Sequence, residues 1–203
     1  TGKMSLMGAA SLSKVNILSD YITITDKTKS PVTVDSSIKT IDASKRKKAV
    51  KITGNELANT IKGGSGKDSI LGNAGKDKLY GQAGNDILKG GAGNDSLWGG
   101  AGNDSLWGDA GTDTFIYAAG DGKDVIYGFE NNDLLKITGA FSASYSKSKG
   151  EVYFKVGTKR SIRVVSVICP SLAGTFRSAR INTVLPLKSK SSKVLNIFHP
   201  FFC

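Results

Sequence analysis

A nine-residue repeat in the middle of the chain constrains the fold more than any other feature. An Asp recurs at every ninth position, two glycines precede it at fixed distances, and a large apolar residue follows two places later. The aspartates are Asp68, Asp77, Asp86, Asp95, Asp104 and Asp113, after a degenerate first unit that carries Asn59. The apolar residues are Ile61, Ile70, Leu79, Leu88, Leu97, Leu106 and Phe115. Such a fixed period predicts a repeat architecture in which neighbouring units bury one another.

The nine-residue spacing excludes three simpler interpretations of the high glycine content. A flexible Gly/Ser linker has no reason to place Asp and a large apolar residue in constant phase. Collagen would need glycine at every third position. A phosphate-binding loop is excluded because Gly66-Lys67 is followed by Asp68, and Ile61 stands where its first glycine should be.

The repeat predicts an all-β solenoid. Glycine permits a tight turn over the first part of each unit, and the end of the unit, such as Ser96 to Trp98, forms a short strand. The middle residue of that strand faces inward. Two units complete one coil, so that each unit stacks on the next but one. The interior is expected to hold two ladders, Ile70/Leu88/Leu106 and Leu79/Leu97/Phe115.

Apolar burial alone does not stabilise so thin a coil. Each large apolar side chain contributes about 1.5–3 kcal/mol, against roughly 1–2 kcal/mol of backbone entropy for every ordered residue. Stacked carboxylates also repel one another, so we expect a cation between the loops. An irregular cage of carboxylate and carbonyl oxygens suits Ca²⁺, whereas Zn²⁺ prefers His or Cys, which the repeats lack.

The units Gly90 to Trp98 and Gly99 to Trp107 resemble the RTX (hemolysin-type) calcium-binding nonapeptide of secreted bacterial proteins. The resemblance covers about residues 54–136, and residues 121–129 resemble the end of such an array. It implies a parallel β-roll in which carbonyls and the Asp of one loop, with those of the loop one coil later, hold each Ca²⁺. The implied loop pairs are 63–68 with 81–86, 72–77 with 90–95, 81–86 with 99–104, and 90–95 with 108–113.

The resemblance therefore implies a set of metal-binding residues. They are Gly63, Gly64, Ser65, Gly66, Asp68, Gly72, Ala74, Gly75, Asp77, Gly81, Ala83, Gly84, Asp86, Gly90, Gly91, Ala92, Gly93, Asp95, Gly99, Gly100, Ala101, Gly102, Asp104, Gly108, Gly111 and Asp113.

Three features depart from the regular repeat. The second glycine of a unit is replaced by Asn73, Gln82 and Asp109, which predicts strained loops, although Asn and Asp tolerate left-handed geometry. Asn59 supplies no charge, so any ion beside it should bind weakly. After Asp113 the phase slips by two residues and then recovers at Asp124.

Four segments follow from these patterns. Residues 1–53 form an N-terminal β-strand segment, with strands expected at 21–25, 32–34 and 38–41 and a solvated basic turn at 45–48. Residues 54–136 form the calcium-binding roll, and residues 137–158 form C-terminal capping strands. Residues 159–203 form a basic tail. It is interpreted as a poorly ordered extension or as the product of a reading-frame shift near Lys159.

Composition and motifs narrow the function. Residues 152–203 contain nine Lys/Arg and no acid, so the net charge of +11 describes the tail and not the repeats. Scattered cations without stacking aromatics do not predict nucleic-acid binding. Cys169 and Cys203 lack zinc-ligand spacing, and the sole histidine, His199, belongs to no catalytic motif. No apolar run is long enough for a transmembrane segment, and no enzyme activity is expected.

Aromatic residues occupy the outward-facing ninth place of three units. They are Tyr80, Trp98 and Trp107, and Tyr80 and Trp98 should lie one above the other. Two interpretations stay open: flanking strands cover the strip, or it binds a partner or a sugar.

The sequence thus predicts a calcium-ion-binding RTX module of a secreted bacterial protein that folds on Ca²⁺ outside the cell. Its expected location is extracellular or at the cell surface. Its expected partners are calcium ions, the type I secretion machinery and a cell-surface or host molecule. Two alternatives remain: the C-terminal portion of a larger RTX toxin, protease or lipase, which a chain starting at Thr1 would fit, and an adhesin or ligand-binding solenoid.

Overall fold

The computed structural model describes residues 20–118, 120–130 and 132–138 with their side chains, together with the backbone of six further strands. All strands of the described part are β1 (Met4–Ser5), β2 (Tyr21–Thr23), β3 (Val32–Thr33), β4 (Thr40–Asp42), β5 (Lys51–Thr53), β6 (Thr60–Lys62), β7 (Ser69–Ala74), β8 (Lys78–Ala83), β9 (Ile87–Ala92), β10 (Ser96–Ala101), β11 (Ser105–Ala110), β12 (Thr114–Ala118), β13 (Asp124–Tyr127), β14 (Leu134–Thr138), β15 (Phe141–Ser146), β16 (Glu151–Val156), β17 (Lys159–Val165), β18 (Asn182–Thr183) and β19 (Lys193–Asn196). Within those residues there is no helix, and hence none that could span a membrane.

From β2 to β14, successive strands alternate between two sheets, and this alternation produces the coil. One sheet has the order β1-β2-β4-β6-β8-β10-β12-β14-β19-β18, and the other has the order β15-β16-β17-β13-β11-β9-β7-β5-β3. The pairs from β2 to β14 are all parallel, whereas β15–β16, β16–β17, β14–β19 and β18–β19 are antiparallel. The fold is an all-β parallel solenoid of about six turns, which confirms the predicted β-roll.

The coil of two repeat units sets the register of the interior. Leu79 faces Leu97, which faces Phe115 in the next coil. In the other sheet Ile70, Leu88 and Leu106 form the second ladder. These six side chains are 0–2% exposed, so the two predicted interior ladders are confirmed.

The same stacking extends on both sides of the regular units. On the N-terminal side Ile22 faces Ile41 and Ile41 faces Ile61, in coils slightly longer than two repeat units. Parallel pairing therefore runs across residue 54 without a break. On the C-terminal side Phe115 faces Leu135, which confirms the predicted two-residue slip. The inserted residues lengthen the turn and leave the interior ladder in phase.

Several strand bounds differ from the predicted ones. The repeat strands are longer than expected, as in Ser96–Ala101, because pairing resumes after the central glycine at Gly100↔Gln82 and Ala101↔Ala83. The predicted strand at 38–41 is shifted to Thr40–Asp42 because Ile38 lies in the preceding turn, where its N–H bonds Asp35 O at 3.1 Å. Most of the basic tail, including Cys169, His199 and Cys203, lies outside the described residues.

The basic cluster at 45–48 is only in part the solvated turn that the sequence predicts. Lys45, Lys47 and Lys48 are exposed, but Arg46 is 4% exposed. The prediction is wrong for Arg46 because its guanidinium donates to backbone carbonyls inside the solenoid.

Candidate metal centre

The aspartates of the repeats line up in two columns of stacked turns. The first column contains Asp68, Asp86, Asp104 and Asp124, each at the start of a strand of the second sheet. The second column contains Asn59, Asp77, Asp95, Asp113 and Asp133, each before a strand of the first sheet. All nine side chains are buried, with exposures of 0–6%. Because two units complete a coil, each carboxylate lies directly above another of its kind.

One oxygen of each carboxylate is held by the neighbouring coil. The backbone N–H of Asp77 donates to Oδ1 of Asp95 at 2.8 Å, and the N–H of Asp95 donates to Oδ1 of Asp113 at 2.8 Å. The first column repeats this bond from Asp68 to Asp86 and from Asp86 to Asp104. These bonds fix the orientation of the carboxylate, so the position of its second oxygen is fixed as well.

That second oxygen has no partner in five of the aspartates. The residues are Asp77, Asp86, Asp95, Asp104 and Asp113, whose Oδ2 atoms are buried without a hydrogen bond. Burying a polar or charged oxygen without a partner costs several kcal/mol (about 2–7 for a neutral polar group and more for a charge). Five such atoms in two short columns therefore need a positive partner, either a bound cation or a proton.

Carbonyl oxygens converge on the same places. A Cβ on Gly63 would lie 2.7 Å from Oδ2 of Asp68 and 2.5 Å from the carbonyl oxygen of Gly81, one coil later. The carboxylate and the carbonyl of the next coil meet in the same way at Gly72, Gly81 and Gly90. Only glycine leaves room for this approach, and it brings hard oxygen ligands from two successive loops together.

The ligand chemistry of these places favours Ca²⁺. Among the residues that the structure describes, no group of three or more His, Cys, Asp or Glu side chains is placed to hold one metal ion. Any ion must therefore take most of its ligands from backbone carbonyls, with one or two carboxylates. Zinc would require His or Cys ligands, whereas calcium accepts six to eight oxygens in a flexible geometry (roughly 2.3–2.6 Å).

Burial raises the pKa of these carboxyls far above the ordinary value. Desolvation, reinforced in most cases by neighbouring carboxylates, raises the pKa of Asp86 to about 7 and that of Asp124 to about 8. The pKa is raised to about 6 in Asp77, Asp95, Asp104 and Asp113. Protons and divalent cations therefore compete for the same oxygens near neutral pH.

The three residues that replace the second glycine of a unit adopt the left-handed backbone geometry that glycine normally adopts there. Asn73, Gln82 and Asp109 have φ angles of 85°, 81° and 67°. This left-handed region costs a residue with a Cβ about 1–2 kcal/mol. Asn73 recovers part of that cost because its Nδ2 donates to the carbonyl oxygen of Gly54 at 2.8 Å.

Sequence reasoning recognised that the repeat phase recovers at Asp124, but it left Asp124 and Asp133 out of the predicted metal-binding residues. Asp124 Oδ1 accepts the N–H of Asp104 at 3.1 Å, and Asp133 Oδ1 accepts the N–H of Asp113 at 2.9 Å. Both lie two places before an interior residue, Ile126 or Leu135, so the signal was present once the two-residue slip had been allowed for.

It also missed a polar ladder at the fifth place of three units. The backbone N–H of Asn103 donates to Oδ1 of Asn85 at 2.8 Å, and the backbone N–H of Lys123 donates to Oδ1 of Asn103 at 3.0 Å. The N–H of Thr112 donates to Oδ1 of Asn94 at 2.9 Å. These side chains tie successive turns together on the outer side, and the recurrence of Asn before Asp was the available signal.

Asp68 is unlike the other predicted ligands. Its Oδ1 accepts the N–H of Val50 at 2.9 Å, and its Oδ2 accepts the N–H of Gly64 at 2.6 Å. The structure thus brings the six predicted aspartates into the columns, together with the glycines beside them. Both carboxylate oxygens of Asp68 have hydrogen-bond partners, so the first carboxylate oxygen without a partner along the chain is Oδ2 of Asp77.

The outward aromatic residues form two contacts, of which the ninth-place positions predict the one between Tyr80 and Trp98. The rings of Tyr80 and Trp98 lie 6.3 Å apart, and those of Trp107 and Tyr127 stack at 4.4 Å. Trp98 is 37% exposed, and its Nε1 donates to Asp121 Oδ2 at 3.2 Å. A groove of about 260 Å³ lies here, lined by Tyr80, Gln82, Trp98, Gly100, Ala101 and Asp121.

Fold and site together define a class of protein, the solenoids whose stacked loops bind cations. The family model of the RTX calcium-binding nonapeptide repeat (4 copies) matches residues 53–88, 80–115 and 116–136. Residues 53–136 therefore contain RTX repeats, and the ion that such repeats bind is Ca²⁺.

Two further comparisons bear on the chain. Among solved structures, it is similar to the AlgE6R3 subunit of the Azotobacter vinelandii mannuronan C5-epimerase, determined in solution. The identity is 25% over 67% of this chain and 90% of that chain, with a TM-score of 0.25. No curated protein matches the chain.

Proposed function

We propose that this chain is a non-enzymatic calcium-binding module of a secreted bacterial protein, and that it folds when it meets Ca²⁺ outside the cell. The observation that carries the proposal is the set of five buried Oδ2 atoms without partners, in two columns of stacked turns. A bound Ca²⁺ supplies the divalent charge that these oxygens require. Two carboxylates for each ion also balance its charge.

The chain's own residues determine where such ions would lie. In the second column, Oδ2 of Asp77 and the carbonyl oxygen of Gly90 converge beside Gly72. Oδ2 of Asp95 and the carbonyl oxygen of Gly108 converge beside Gly90 in the same way. The hydrogen bond from each Asp N–H to the next Oδ1 holds both coils at this spacing. Removing a residue from one loop would therefore disturb the site above it and the site below it.

Calcium binding would be coupled to folding. Without a cation, and at a pH above about 7 where these carboxyls are ionised, the compact coil must bury five unpaired carboxylate oxygens, so the unfolded chain is favoured. A ligand that binds only the folded state stabilises it by an amount that increases with ligand concentration. Low calcium inside a cell would keep the repeats unfolded and suitable for export by type I machinery. Higher calcium outside would fold them, either as a free protein or at the cell surface.

The experiment that tests this proposal is a calcium titration of the whole chain by isothermal calorimetry, with far-ultraviolet circular dichroism on the same samples. We expect several ions per chain, a gain of β signal with calcium, and loss of that signal in EGTA. Magnesium at equal concentration serves as the control, because it prefers a strict octahedron with retained waters. Binding of no calcium, or one spectrum in calcium and in EGTA, would rule the proposal out.

One observation favours a second candidate, a ligand-binding solenoid. The groove at Tyr80 and Trp98 combines an exposed indole with the polar side chains of Gln82 and Asp121. Aromatic faces beside hydrogen-bonding groups suit a sugar or a protein partner. Glycan-array binding by the calcium-loaded chain would support this candidate if Trp98→Ala abolished it and Trp107→Ala did not. Equal binding by all three proteins would exclude the groove.

A further inference from the structure

Arg46 lies between two successive turns at the N-terminal end of the first column. Its Nη1 donates to the carbonyl oxygens of Thr25 and of Thr28, the latter at 2.8 Å. Its Nε donates to Lys48 O at 2.9 Å, and its Nη2 donates to Ala49 O at 3.2 Å. The guanidinium thus collects two carbonyls from each of two loops that are one coil apart. Further along the first column, the turns instead bury Oδ2 of Asp86 and of Asp104 without a partner.

The register of the column supports this equivalence. The N–H of Val50 donates to Asp68 Oδ1, as the N–H of Asp68 donates to Asp86 Oδ1. Val50 therefore occupies the position at which the later turns carry Asp. In this turn the carboxylate is absent and an internal cation is present, so the carbonyls have a positive partner without any metal ion.

At its N-terminal end, the second column carries two asparagines, Asn55 and Asn59, whose side-chain amides also donate to backbone carbonyls of the preceding turn. The Nδ2 of Asn55 donates to Asp35 O at 2.6 Å and to Ile38 O at 2.7 Å. The Nδ2 of Asn59 donates to Ile38 O at 3.0 Å and to Asn55 Oδ1 at 3.0 Å. Two amide groups here bridge the carbonyls of the preceding turn. Asn59 Oδ1, which stands where the later turns have an Asp oxygen, accepts the N–H of Asn55 at 2.9 Å.

We propose that residues 20–62 form a calcium-independent N-terminal cap, in which Arg46 and the pair Asn55–Asn59 occupy the interloop positions that calcium occupies in the repeats. The cap would fold before calcium arrives and would present β5 and β6 as edges on which the first calcium-binding coil can stack. This proposal rests on the proposed function for the ions of the later coils. It adds the place where the calcium sites begin, which is after residue 62.

Burial in the cap agrees with folding without metal. The buried polar side chains of residues 20–62 are Thr28, Arg46, Asn55 and Asn59, with no carboxylate among them. Ten apolar side chains of this segment are also buried: Ile22, Ile24, Val32, Val34, Ile38, Ile41, Ala43, Val50, Ile52 and Ile61. The cap therefore has a larger apolar core for its length than the repeats and no unpaired buried charge.

Hydrogen exchange of the whole chain, read by mass spectrometry in EGTA and in calcium, tests the cap separately from calcium binding. In EGTA we expect peptides from residues 20–62 to exchange at least about a hundredfold more slowly than peptides from residues 63–136. Calcium should then protect residues 63–136. Equal, fast exchange of both segments in EGTA would overturn the cap proposal. Equal protection of residues 63–136 with and without calcium would overturn the proposed function, and slow exchange of residues 20–62 in the same EGTA sample would then support only the calcium independence of the cap.

Two variants test whether these particular residues replace calcium. Arg46→Met removes the internal cation and should make the cap exchange about a hundredfold faster in EGTA, with no rescue by calcium because Val50 offers no carboxylate. Lys45→Met, the same charge change at an exposed neighbour, should leave exchange unchanged. Asn59→Asp should also make hydrogen exchange of the cap faster in EGTA, but calcium should restore its slow exchange. A cap that stays protected in EGTA in both Arg46→Met and Asn59→Asp would contradict the assigned roles.

Discussion

The cap and the repeat coils share one stacking geometry but differ in the charges that they bury. Residues 20–62 bury one cation, Arg46, and no carboxylate, whereas residues 63–136 bury eight aspartates and no Lys or Arg. Both segments place one apolar ladder residue per strand in the interior. Parallel β stacking is therefore common to the two segments, and they differ only in how the buried polar oxygens of their turns find a positive partner. In the two proposals made above, an internal guanidinium would make folding independent of the medium, and columns of aspartate would make it depend on calcium.

The largest expected effect comes from removing one carboxylate of a column. In calcium, Asp95→Asn should destabilise the chain by about 3–5 kcal/mol, because it removes one partner of a buried ion pair. In EGTA the same change should be stabilising, since it removes a desolvated charge. Urea denaturation in calcium and the β signal that remains in EGTA, read by circular dichroism, measure the two signs, and Asp20→Asn, at an exposed position, is the control. The same sign in both media would refute the cation requirement.

A smaller effect is expected where two coils approach each other through glycine. Gly93 has a φ of 138°, and a Cβ there would collide with the carbonyl oxygen of Gly75. Gly120 has a φ of 105° and an open space around its Cβ position. We expect Gly120→Ala to cost about 1–2 kcal/mol and Gly93→Ala about 2–5 kcal/mol, in calcium. Equal costs in urea denaturation would show that the contact between coils adds nothing to the backbone strain.

The pH dependence should differ in sign with and without calcium. The folded pKa values of about 6 to 7 at Asp86 and Asp95 exceed the ordinary value of 3.8, so the folded chain holds extra protons between about pH 4 and pH 7. In EGTA the repeat coils should therefore be more stable at pH 5 than at pH 8. Calcium affinity should instead fall on acidification, because protons compete with the ion.

The β signal of the calcium-free chain, read by circular dichroism at pH 5 and pH 8, and calorimetric calcium titrations at the same two pH values measure these two trends. The cap, which buries no carboxylate, supplies the internal reference, and its hydrogen exchange should not show this stabilisation on acidification. Greater stability of the calcium-free repeats at pH 8 than at pH 5 would contradict the raised pKa values.

The smallest effect is expected at the irregular second places. Gln82→Gly should stabilise the calcium-loaded chain by about 1 kcal/mol, because glycine adopts a φ of 81° without strain. Asn73→Gly should gain less, since Asn tolerates this region and the change removes the hydrogen bond to Gly54 O. Thermal unfolding of both variants in calcium decides the order. A larger gain for Asn73→Gly would argue against this account of the two loops.

Most of the fold could be predicted from the nine-residue repeat. The parts that could not be predicted lie where the repeat is interrupted or absent. Ladder residues such as Leu97 are predictable because a solenoid converts a sequence period directly into contacts. The recovery of the repeat phase at Asp124 was predictable, but Asp124 and Asp133 were left out of the predicted ligands because two inserted residues shift them out of the nine-residue phase. The N-terminal coils do not show this phase, since each of them is longer than two repeat units and carries no glycine pattern.

Arg46 could not be identified from local sequence. Its neighbours Lys45, Lys47 and Lys48 are exposed, and the four residues form one basic run. Only tertiary structure distinguishes the arginine, because two of its carbonyl acceptors, Thr25 and Thr28, come from the preceding coil. The partnerless Oδ2 atoms likewise follow from how coils stack and not from the motif alone.

The two tryptophans of the chain offer the most direct test of the central claim, because both lie in the repeat coils and neither lies in the cap. Trp98 contacts Tyr80, and Trp107 stacks on Tyr127, so their near-ultraviolet circular dichroism reports whether the coils are stacked. We predict a strong tryptophan signal in calcium that disappears in EGTA and returns when calcium is restored. A tryptophan signal of the same strength in EGTA and in calcium would contradict the claim that divalent charge holds the repeat coils together.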